Sequence, residues 1–119
     1  MTTSASLNFI HTVRDGILIL ELRGAIEAAQ SLDLATETAL QAEAKNVIVV
    51  LTEVDYINST GFGALVRLSD TLSHQGKTIY VVGLQAKVHI VFNVLGAHHL
   101  FNVLSSLDEA LKAALRAKS

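Results

Sequence analysis

The sequence predicts an α/β fold: a small single-domain sandwich with a mixed, mostly parallel sheet of four to five strands covered by about four helices. Three observations predict it. Apolar, β-branched runs alternate with helical patterns along the 119 residues, and this alternation produces parallel sheets. Asp15-Gly16 separates the first two runs and is typical of a two-residue hairpin, so one edge should be antiparallel. No Pro/Gly/Ser-rich linker divides the chain, so residues 1–119 should form one domain.

The first four predicted elements lie between residues 7 and 51. Residues 7–13 and 17–22 are rich in strand formers, and Gly24 should end the second strand. Residues 27–43 are mainly helix formers. Four apolar residues recur there at helical spacing: Leu32, Ala35, Ala39 and Leu40. The run NVIVVL at 46–51 is continuous and apolar, which is typical of a strand buried on both faces.

The alternation continues after a polar segment at 55–61. A helix should follow it to about residue 75, with Gly76 as its C-cap glycine. Residues 78–82 (TIYVV) predict the next strand. Residues 86–95 then predict a helix, because their apolar residues fall at helical spacing and a glycine, Gly96, follows.

The C-terminal part predicts a short strand and a last helix, which completes the order ββαβαβα(β)α. The strand should lie within 100–104 and the helix within 105–118. Two capping-box patterns open this helix, Ser105-x-x-Asp108 and Ser106-x-x-Glu109. Its buried stripe should consist of Leu107, Leu111, Ala114 and Leu115.

Composition and charge exclude several classes of protein. The net charge is −2 and there is no basic block, so we expect no nucleic-acid partner. The absence of cysteine excludes disulfides and thiolate metal sites. The start MTTSASLNF does not resemble a signal peptide, and no apolar run is long enough to span a bilayer. We therefore expect a cytoplasmic protein without direct membrane insertion.

The stretch DYINSTGFGALVRL, residues 55–68, holds the candidate functional residues. It follows the buried strand NVIVVL, at whose carboxyl end α/β proteins usually place function. Asn58, Ser59 and Thr60 all suit a helix N-cap, so one interpretation is an ordinary strand-to-helix connection. Another is a modified hydroxyl, because a phosphate there would meet free N–H groups and the positive end of the helix dipole. Phosphorylation would add about −1.5 to −2 charges at that point.

Other chemistries fit this stretch poorly. GFGALV begins like a dinucleotide loop, but Val66 stands where the third glycine belongs, and a Walker lysine is missing. The serine lacks the G-x-S-x-G context of a nucleophile. The five histidines are scattered along the chain: His11, His74, His89, His98 and His99. The adjacent pair, His98 and His99, lacks a third ligand at helical spacing. We expect no enzyme activity, no cofactor and no bound metal.

Two helices offer surfaces for partners. On the helix after the polar segment, three leucines form the predicted core face: Leu65, Leu68 and Leu72. The opposite face carries Gly63, Arg67, Asp70 and His74. Phe62 and Val66 lie at the seam, where Phe62 either is partly exposed beside the hydroxyls or caps the core. In the 86–95 helix, Ile90 and Val94 exceed what one buried face needs, which leaves a homodimer possible.

VDYINSTGFGALVRL resembles the signature of the STAS domain, as found in bacterial anti-anti-sigma factors (anti-sigma factor antagonists). That signature is a strand, an acidic residue, Ser, Ser or Thr, and Gly opening a helix. Two further stretches resemble the same family, LELRGAIEAAQSLDL and HHLFNVLSSLDEALKA. The order of elements agrees as well, so the resemblance covers nearly the whole chain.

The resemblance implies a partner-switching protein. Such a protein binds an anti-sigma factor that is also a serine kinase, and it is released when the kinase phosphorylates it; a phosphatase resets the switch. The implied acceptor is Ser59, with Thr60 as the alternative, and Gly61 would allow close approach of the partner's backbone. ATP and magnesium would belong to the kinase. The implied partner-binding residues are Glu27, Asn58, Ser59, Thr60, Gly61, Phe62 and Val66.

Two positions depart from the usual pattern of the family. Asn58 precedes the acceptor where many phosphorylated members have Asp, and Glu27 stands where Asp is frequent. Asn keeps the capping capability but lacks the charge, which predicts weaker phosphorylation. The family also includes scaffolds and soluble subunits of lipid-transport or transporter complexes. A chain of that kind would use Asn58, Ser59 and Thr60 only as cap and contact.

Overall fold

The structure, a computed structural model, describes residues 7–96 and 101–118. The described residues form five strands and four helices, in the predicted order. These are β1 Asn8–Arg14, β2 Ile17–Ile26, α1 Asp33–Gln41, β3 Asn46–Ile57, α2 Ser59–His74, β4 Thr78–Val82, α3 Ala86–Val94, β5 Asn102–Leu104 and α4 Leu107–Lys118. Both the predicted fold class and the alternation of strands with helices are confirmed. His98, His99 and residue 100 of the predicted last strand lie outside the described residues.

The five strands form one sheet in the order β1-β2-β3-β4-β5. β1 is antiparallel to β2, and the other three pairs are parallel. Asp15 and Gly16 have φ angles of 54° and 75°. A positive φ at both central residues is what a type I′ turn requires, and this turn matches the twist of the two strands. The predicted hairpin and its antiparallel edge are therefore confirmed.

Helices cover both faces of the sheet. The larger core cluster combines α1, α2 and α3 with one face of the strands. α4 covers the other face, where Ala110 and Ala114 pack with Ile17, Ile48 and Tyr80. Successive strand residues point to opposite faces, so the continuous apolar run of β3 supplies both clusters. Among the described residues, no helix is both long enough and apolar enough to cross a membrane.

Gly24 was predicted to end β2. The prediction is wrong, because Gly24 lies inside the strand. The strand continues to Ile26, and Gly24 has a φ of 108°. The ladder to β3 shifts register between Glu21 and Arg23 and again between Gly24 and Ala25. Glycine in a strand often marks such an irregularity, because it accepts backbone angles that other residues avoid.

Helix α1 begins at Asp33, six residues later than the helix-forming composition predicted. Residues 27–32 form turns instead, held by local hydrogen bonds. The Ala28 N–H donates to the Ser31 hydroxyl at 3.1 Å, and the Ser31 N–H donates to the Ala28 carbonyl at 3.1 Å. A serine side chain that satisfies a nearby backbone N–H offers the chain an alternative to helix.

β3 runs to Ile57, well beyond the end predicted at residue 51. β4 pairs with it only as far as Val50, whereas β2 pairs with it up to Ile57. Hydrogen bonding to the extended β2 therefore keeps residues 53–57 in a strand. Most of the polar segment at 55–61 therefore belongs to β3 or α2, and Asn58 alone lies between these two elements.

Helix α4 begins at Leu107, two residues later than predicted, and Ser106 caps it. The Ser106 hydroxyl accepts from the Glu109 N–H at 3.2 Å. Glu109 Oε1 in turn accepts from the Ser105 hydroxyl at 2.7 Å and from the Ser105 N–H at 3.1 Å. These two hydrogen bonds hold the pKa of the Glu109 carboxyl below its ordinary value, and the bond from the Ser105 hydroxyl has the larger effect. The alternative box with Asp108 is wrong, since that carboxylate pairs with Lys112 at 3.3 Å.

The helix stripes are confirmed in part. Leu65, Leu68 and Leu72 are buried, and the opposite face of α2 is exposed as predicted. Leu40 and Leu115, assigned to buried stripes, are 39% and 45% exposed. Each lies at the margin of its helix's buried side, where the neighbouring layer no longer covers it. Ile90 and Val94 of α3 are exposed, as their excess over one buried face predicted.

Candidate functional site

The candidate site lies where β3 passes into α2, and Asn58 makes this transition. Its backbone is extended, with φ −111° and ψ −177°. The side-chain oxygen of Asn58 accepts from the Gly61 N–H at 2.8 Å, and its carbonyl accepts from the Phe62 N–H at 2.8 Å. This is the geometry of an N-cap, which satisfies backbone N–H groups that the first helical turn leaves free. The cap predicted for Asn58, Ser59 or Thr60 is therefore Asn58.

The end of β2 lies directly against the first turn of α2. The Asn58 N–H donates to the Ile26 carbonyl at 3.4 Å. A Cβ atom added to Gly61 would lie 1.8 Å from the Ile26 carbonyl oxygen and 3.1 Å from the Glu27 nitrogen. No side chain fits at Gly61, because the backbone of β2 occupies that space. Gly61 itself is buried, and its missing side chain allows the close approach of this protein's own β2. Close approach of a partner's backbone at Gly61 stays a prediction.

Both candidate hydroxyl residues, Ser59 and Thr60, are exposed, but they lie on different ridges of α2. Successive residues of a helix are about 100° apart. Ser59 shares the outermost ridge with Gly63 and Asp70, both exposed. Thr60 shares its ridge with Ala64, which lines a groove between α1 and α2. The two hydroxyls therefore present themselves to different neighbours.

Glu27 is exposed and follows Ile26, so its backbone adjoins the start of α2. The turn after it is tied to α2, since the Arg67 guanidinium donates to the Ala29 carbonyl. The structure thus brings Glu27, Asn58, Ser59 and Gly61 together, although 30 or more residues of sequence separate the first from the others. The sequence did not predict the hydrogen bond between Arg67 and Ala29. The pattern placed Arg67 on the exposed face of the helix, and no other signal indicated a partner for it.

Phe62 is buried, with 6% of its surface exposed. Its ring makes edge-on contacts with Phe92 and Phe101, at centroid distances of 5.3 and 5.9 Å. Partial exposure of Phe62 beside the hydroxyls is therefore wrong, and the alternative, that it caps the core, is confirmed. Val66, one turn later, is half-buried and stays at the seam between core and surface.

The first turn of α2 itself favours an added anion. The first turn of α2 contains no acidic residue. The 16-residue helix directs its positive dipole end at this turn. A phosphate on Ser59 would therefore be placed beside partial positive charge and near backbone N–H groups.

A comparison with known families matches residues 8–110 to the STAS domain. One relative is a protein of Bordetella bronchiseptica described as a candidate anti-sigma factor antagonist, BtrV. It is 29% identical over 101 residues, which cover 83% of this chain and 87% of the relative.

Solved structures share the fold. An anti-sigma factor antagonist from Mycobacterium paratuberculosis superposes with a TM-score of 0.81 at 19% identity, covering 96% of this chain and 98% of that one. A sulfate transporter family protein from Wolinella succinogenes gives a TM-score of 0.75 at 23% identity, covering 91% and 93%. At such identities the likeness shows the common fold alone, and that fold occurs with both kinds of protein.

Proposed function

Because this chain belongs to the STAS domain family, we propose that it is an anti-sigma factor antagonist controlled by phosphorylation. It binds an anti-sigma factor that is also a serine kinase, and phosphorylation of Ser59 ends the complex. The observation that carries this proposal is the exposed Ser59 hydroxyl at the N-terminus of α2. The protein acts by binding and has no catalytic chemistry of its own. Its place is the cytoplasm, where sigma factors meet RNA polymerase.

Asn58 caps the helix, whereas Ser59 is the proposed site of phosphorylation. Because the two roles belong to different residues, phosphorylation can leave the fold intact. Asn58 caps the helix through its own side chain, at 2.8 Å from the Gly61 nitrogen. The Ser59 hydroxyl is therefore not needed for the cap. Adding a phosphate to it changes the charge of the surface, while the hydrogen bonds that hold α2 to β3 remain.

The phosphoryl transfer itself requires little from this chain. The Ser59 oxygen attacks the γ-phosphorus of ATP, the bond from that phosphorus to the ADP oxygen breaks, and the hydroxyl proton passes to a base of the kinase. ATP and magnesium belong to the kinase. Thr60 is the alternative acceptor, on the ridge that faces the α1–α2 groove.

The consequence of phosphorylation is a local change in charge. A phosphate adds about −1.5 to −2 charges, and the whole chain carries −2. Modification of Ser59 would therefore roughly double the net negative charge of the chain and concentrate the added charge at one point of the surface. A partner surface complementary to the unmodified helix start then meets repulsion, and a phosphatase restores binding.

The decisive experiment measures the intact mass of the protein after incubation with ATP and a purified kinase. The kinase is the anti-sigma factor with a histidine-kinase-type ATPase fold that is encoded nearest to this chain. We expect one phosphate on the wild type and none on Ser59→Ala, with Thr60→Ala as the matched control that is still modified. A wild-type mass that stays unchanged, although the kinase modifies another substrate, would contradict the proposal.

Binding to the same kinase without ATP tests the charge mechanism. We expect Ser59→Ala to bind like the wild type and Ser59→Asp to bind at least about tenfold more weakly, because one unpaired charge at an interface costs 1.4 kcal/mol or more. Equal binding by both variants would exclude the mechanism. Stable association with a membrane transporter in place of the kinase would favour the scaffold or transporter-subunit alternative.

A further inference from the structure

Helix α2 contains two glycines, Gly61 and Gly63, and the structure explains only one of them. Gly61 is required, since an added Cβ would lie 1.8 Å from the Ile26 carbonyl oxygen. At Gly63 an added Cβ would meet nothing within 4 Å. Gly63 is exposed and is not among the described residues with a positive φ. Neither packing nor backbone conformation calls for glycine there.

Glycine at this position makes the helix less stable. Gly63 lies in the second turn of a 16-residue helix, well inside its ends. Glycine inside a helix is less favourable than alanine, because it loses more backbone freedom on folding. Alanine would fit at position 63 without a clash, so the fold itself favours alanine there.

The place of Gly63 on the surface relates it to the proposed phosphorylation site. It follows Ser59 by four residues, so the two lie on the same ridge, about 6 Å apart along the helix axis. Both are exposed. The helix backbone is therefore uncovered by any side chain one turn from the hydroxyl.

We propose that Gly63 is a contact position of the kinase-binding surface, where a backbone segment of the anti-sigma factor kinase packs directly against α2. This inference depends on the proposed function and deepens it. The missing side chain lets the partner come closer to the helix by roughly the thickness of a methyl group. This closer approach brings the Ser59 oxygen within reach of the γ-phosphorus of the ATP bound to the kinase. Gly63 is a positioning residue for the transfer.

Stability and affinity for the kinase, measured together, distinguish a glycine that contacts the partner from one that has no role in binding. A side chain at position 63 should stabilise the isolated protein in either case. Only in the contact role should the same side chain weaken binding, and weaken it more as it grows. Opposite changes in stability and affinity, in one variant, are what a purely structural glycine cannot produce.

The test uses Gly63→Ala and Gly63→Gln in the full chain, with Ser73→Ala as the matched control. Ser73 is exposed on the same helix, more than two turns further from Ser59. Thermal unfolding should show a melting temperature raised by roughly 2–4 °C for Gly63→Ala. Affinity for the purified kinase, without ATP, should fall about tenfold for Gly63→Ala and further for Gly63→Gln, as overpacking an interface predicts. Ser73→Ala should leave affinity unchanged.

The possible outcomes separate this inference from the proposed function. If the wild type binds the kinase and both Gly63 variants bind equally well, the inference is wrong and the proposed function stands. A lowered melting temperature of Gly63→Ala would also overturn the inference, because it would reveal an internal need for glycine. If the wild type itself neither binds the kinase nor is phosphorylated, the proposed function fails and the contact role fails with it.

Discussion

Asn58 gives the helix start its geometry without giving it a charge. Its side-chain oxygen accepts from the Gly61 N–H at 2.8 Å, as an Asp carboxylate would. In the family signature, Asp is frequent at this position, and its second oxygen would add negative charge beside the Ser59 hydroxyl. Asn58 therefore separates two functions, capping and charge, that Asp combines.

Substitutions of Asn58 should separate these two functions experimentally. Asn58→Ala should lower the free energy of unfolding by about 1 kcal/mol, because the cap is lost. Asn58→Asp should change it by less than about 0.5 kcal/mol, since Asp and Asn cap equally well. Asp should also raise the rate of Ser59 phosphorylation about fivefold, as expected from roughly 1 kcal/mol of interaction with the metal-bound ATP. Urea unfolding and initial phosphorylation rates check the three results.

An unchanged or lower rate for Asn58→Asp would mean that the lost carboxylate does not limit phosphorylation. In that case the amide at this position is neutral for the switch, and only its capping role remains.

Gly61 shows how a single residue can be fixed by a distant part of the chain. The first turn of α2 and the end of β2 approach so closely that the Ile26 carbonyl occupies the place of a side chain. This contact places the backbone of Ile26 and Glu27 beside the first turn of α2.

We expect Gly61→Ala to lower the free energy of unfolding by more than about 2 kcal/mol, because backbone must move to make room. Gly63→Ala is the matched control on the same helix and should be stabilising by up to about 1 kcal/mol. Urea unfolding monitored by circular dichroism gives both values. A Gly61→Ala protein as stable as the wild type would show that the two segments are not in contact.

At the scale of single elements, α4 illustrates a cap with a titratable partner. The hydrogen bonds from Ser105, by hydroxyl and by backbone N–H, hold the pKa of Glu109 below its ordinary value. A carboxyl whose pKa is lower in the folded than in the unfolded state contributes stability above its ordinary pKa. That contribution is lost as the pH falls through the lowered folded value.

Glu109→Gln should therefore lower the melting temperature at pH 7. The difference from the wild type should shrink as the pH falls below the ordinary pKa of glutamate and vanish below the lowered value. Asp108→Asn is the control, because Asp108 is exposed and pairs with Lys112 across the helix surface. Melting curves between pH 7 and strongly acidic pH check the prediction. A Glu109→Gln deficit that is the same at every pH would exclude the ionised carboxyl as its source.

The strands differ in how their ends are determined. β4 matches the prediction at both ends, Thr78 and Val82, because glycines and polar residues bound its apolar run. β3 does not, because its second part alternates polar and apolar residues and is a strand only where β2 pairs with it. The local sequence pattern determines the ends of β4, whereas pairing with β2 determines the end of β3.

At the scale of the whole molecule, the sheet has a protected centre and two edge strands, β1 and β5. β3 pairs with strands on both sides, and residues 47–49 are fully buried. Within residues 7–96 and 101–118, β1 pairs only with β2, and Ile10 and Val13 are 45% and 53% exposed. Stability should therefore decrease from the centre towards β1.

Hydrogen exchange followed by mass spectrometry should show this gradient. Amides of β3 should exchange at least about 100-fold more slowly than those of β1, because β3 opens only when the molecule unfolds. Protein diluted over a wide concentration range is the control for self-association. Equal protection of β1 and β3 at high concentration, lost on dilution, would mean that a second copy covers the β1 edge.

The sequence by itself determined the fold class, the hairpin at Asp15-Gly16 and the core face of α2. It also placed three candidate capping residues, Asn58, Ser59 and Thr60, at the start of that helix. These features are local: a turn dipeptide, an apolar period and a side chain that caps its own backbone act over a few residues. Such patterns can be recognised in any stretch of chain without knowledge of its neighbours.

Only the tertiary structure decided that Phe62 is buried, that Gly61 faces β2 and that β3 continues to Ile57. Each depends on partners far away in the sequence: Phe92 and Phe101 for the ring, Ile26 for the glycine, and the extended β2 for the strand. The physical reason is the same in all three. Burial and close packing are properties of two surfaces in contact, and the sequence around one surface does not specify which other surface will cover it.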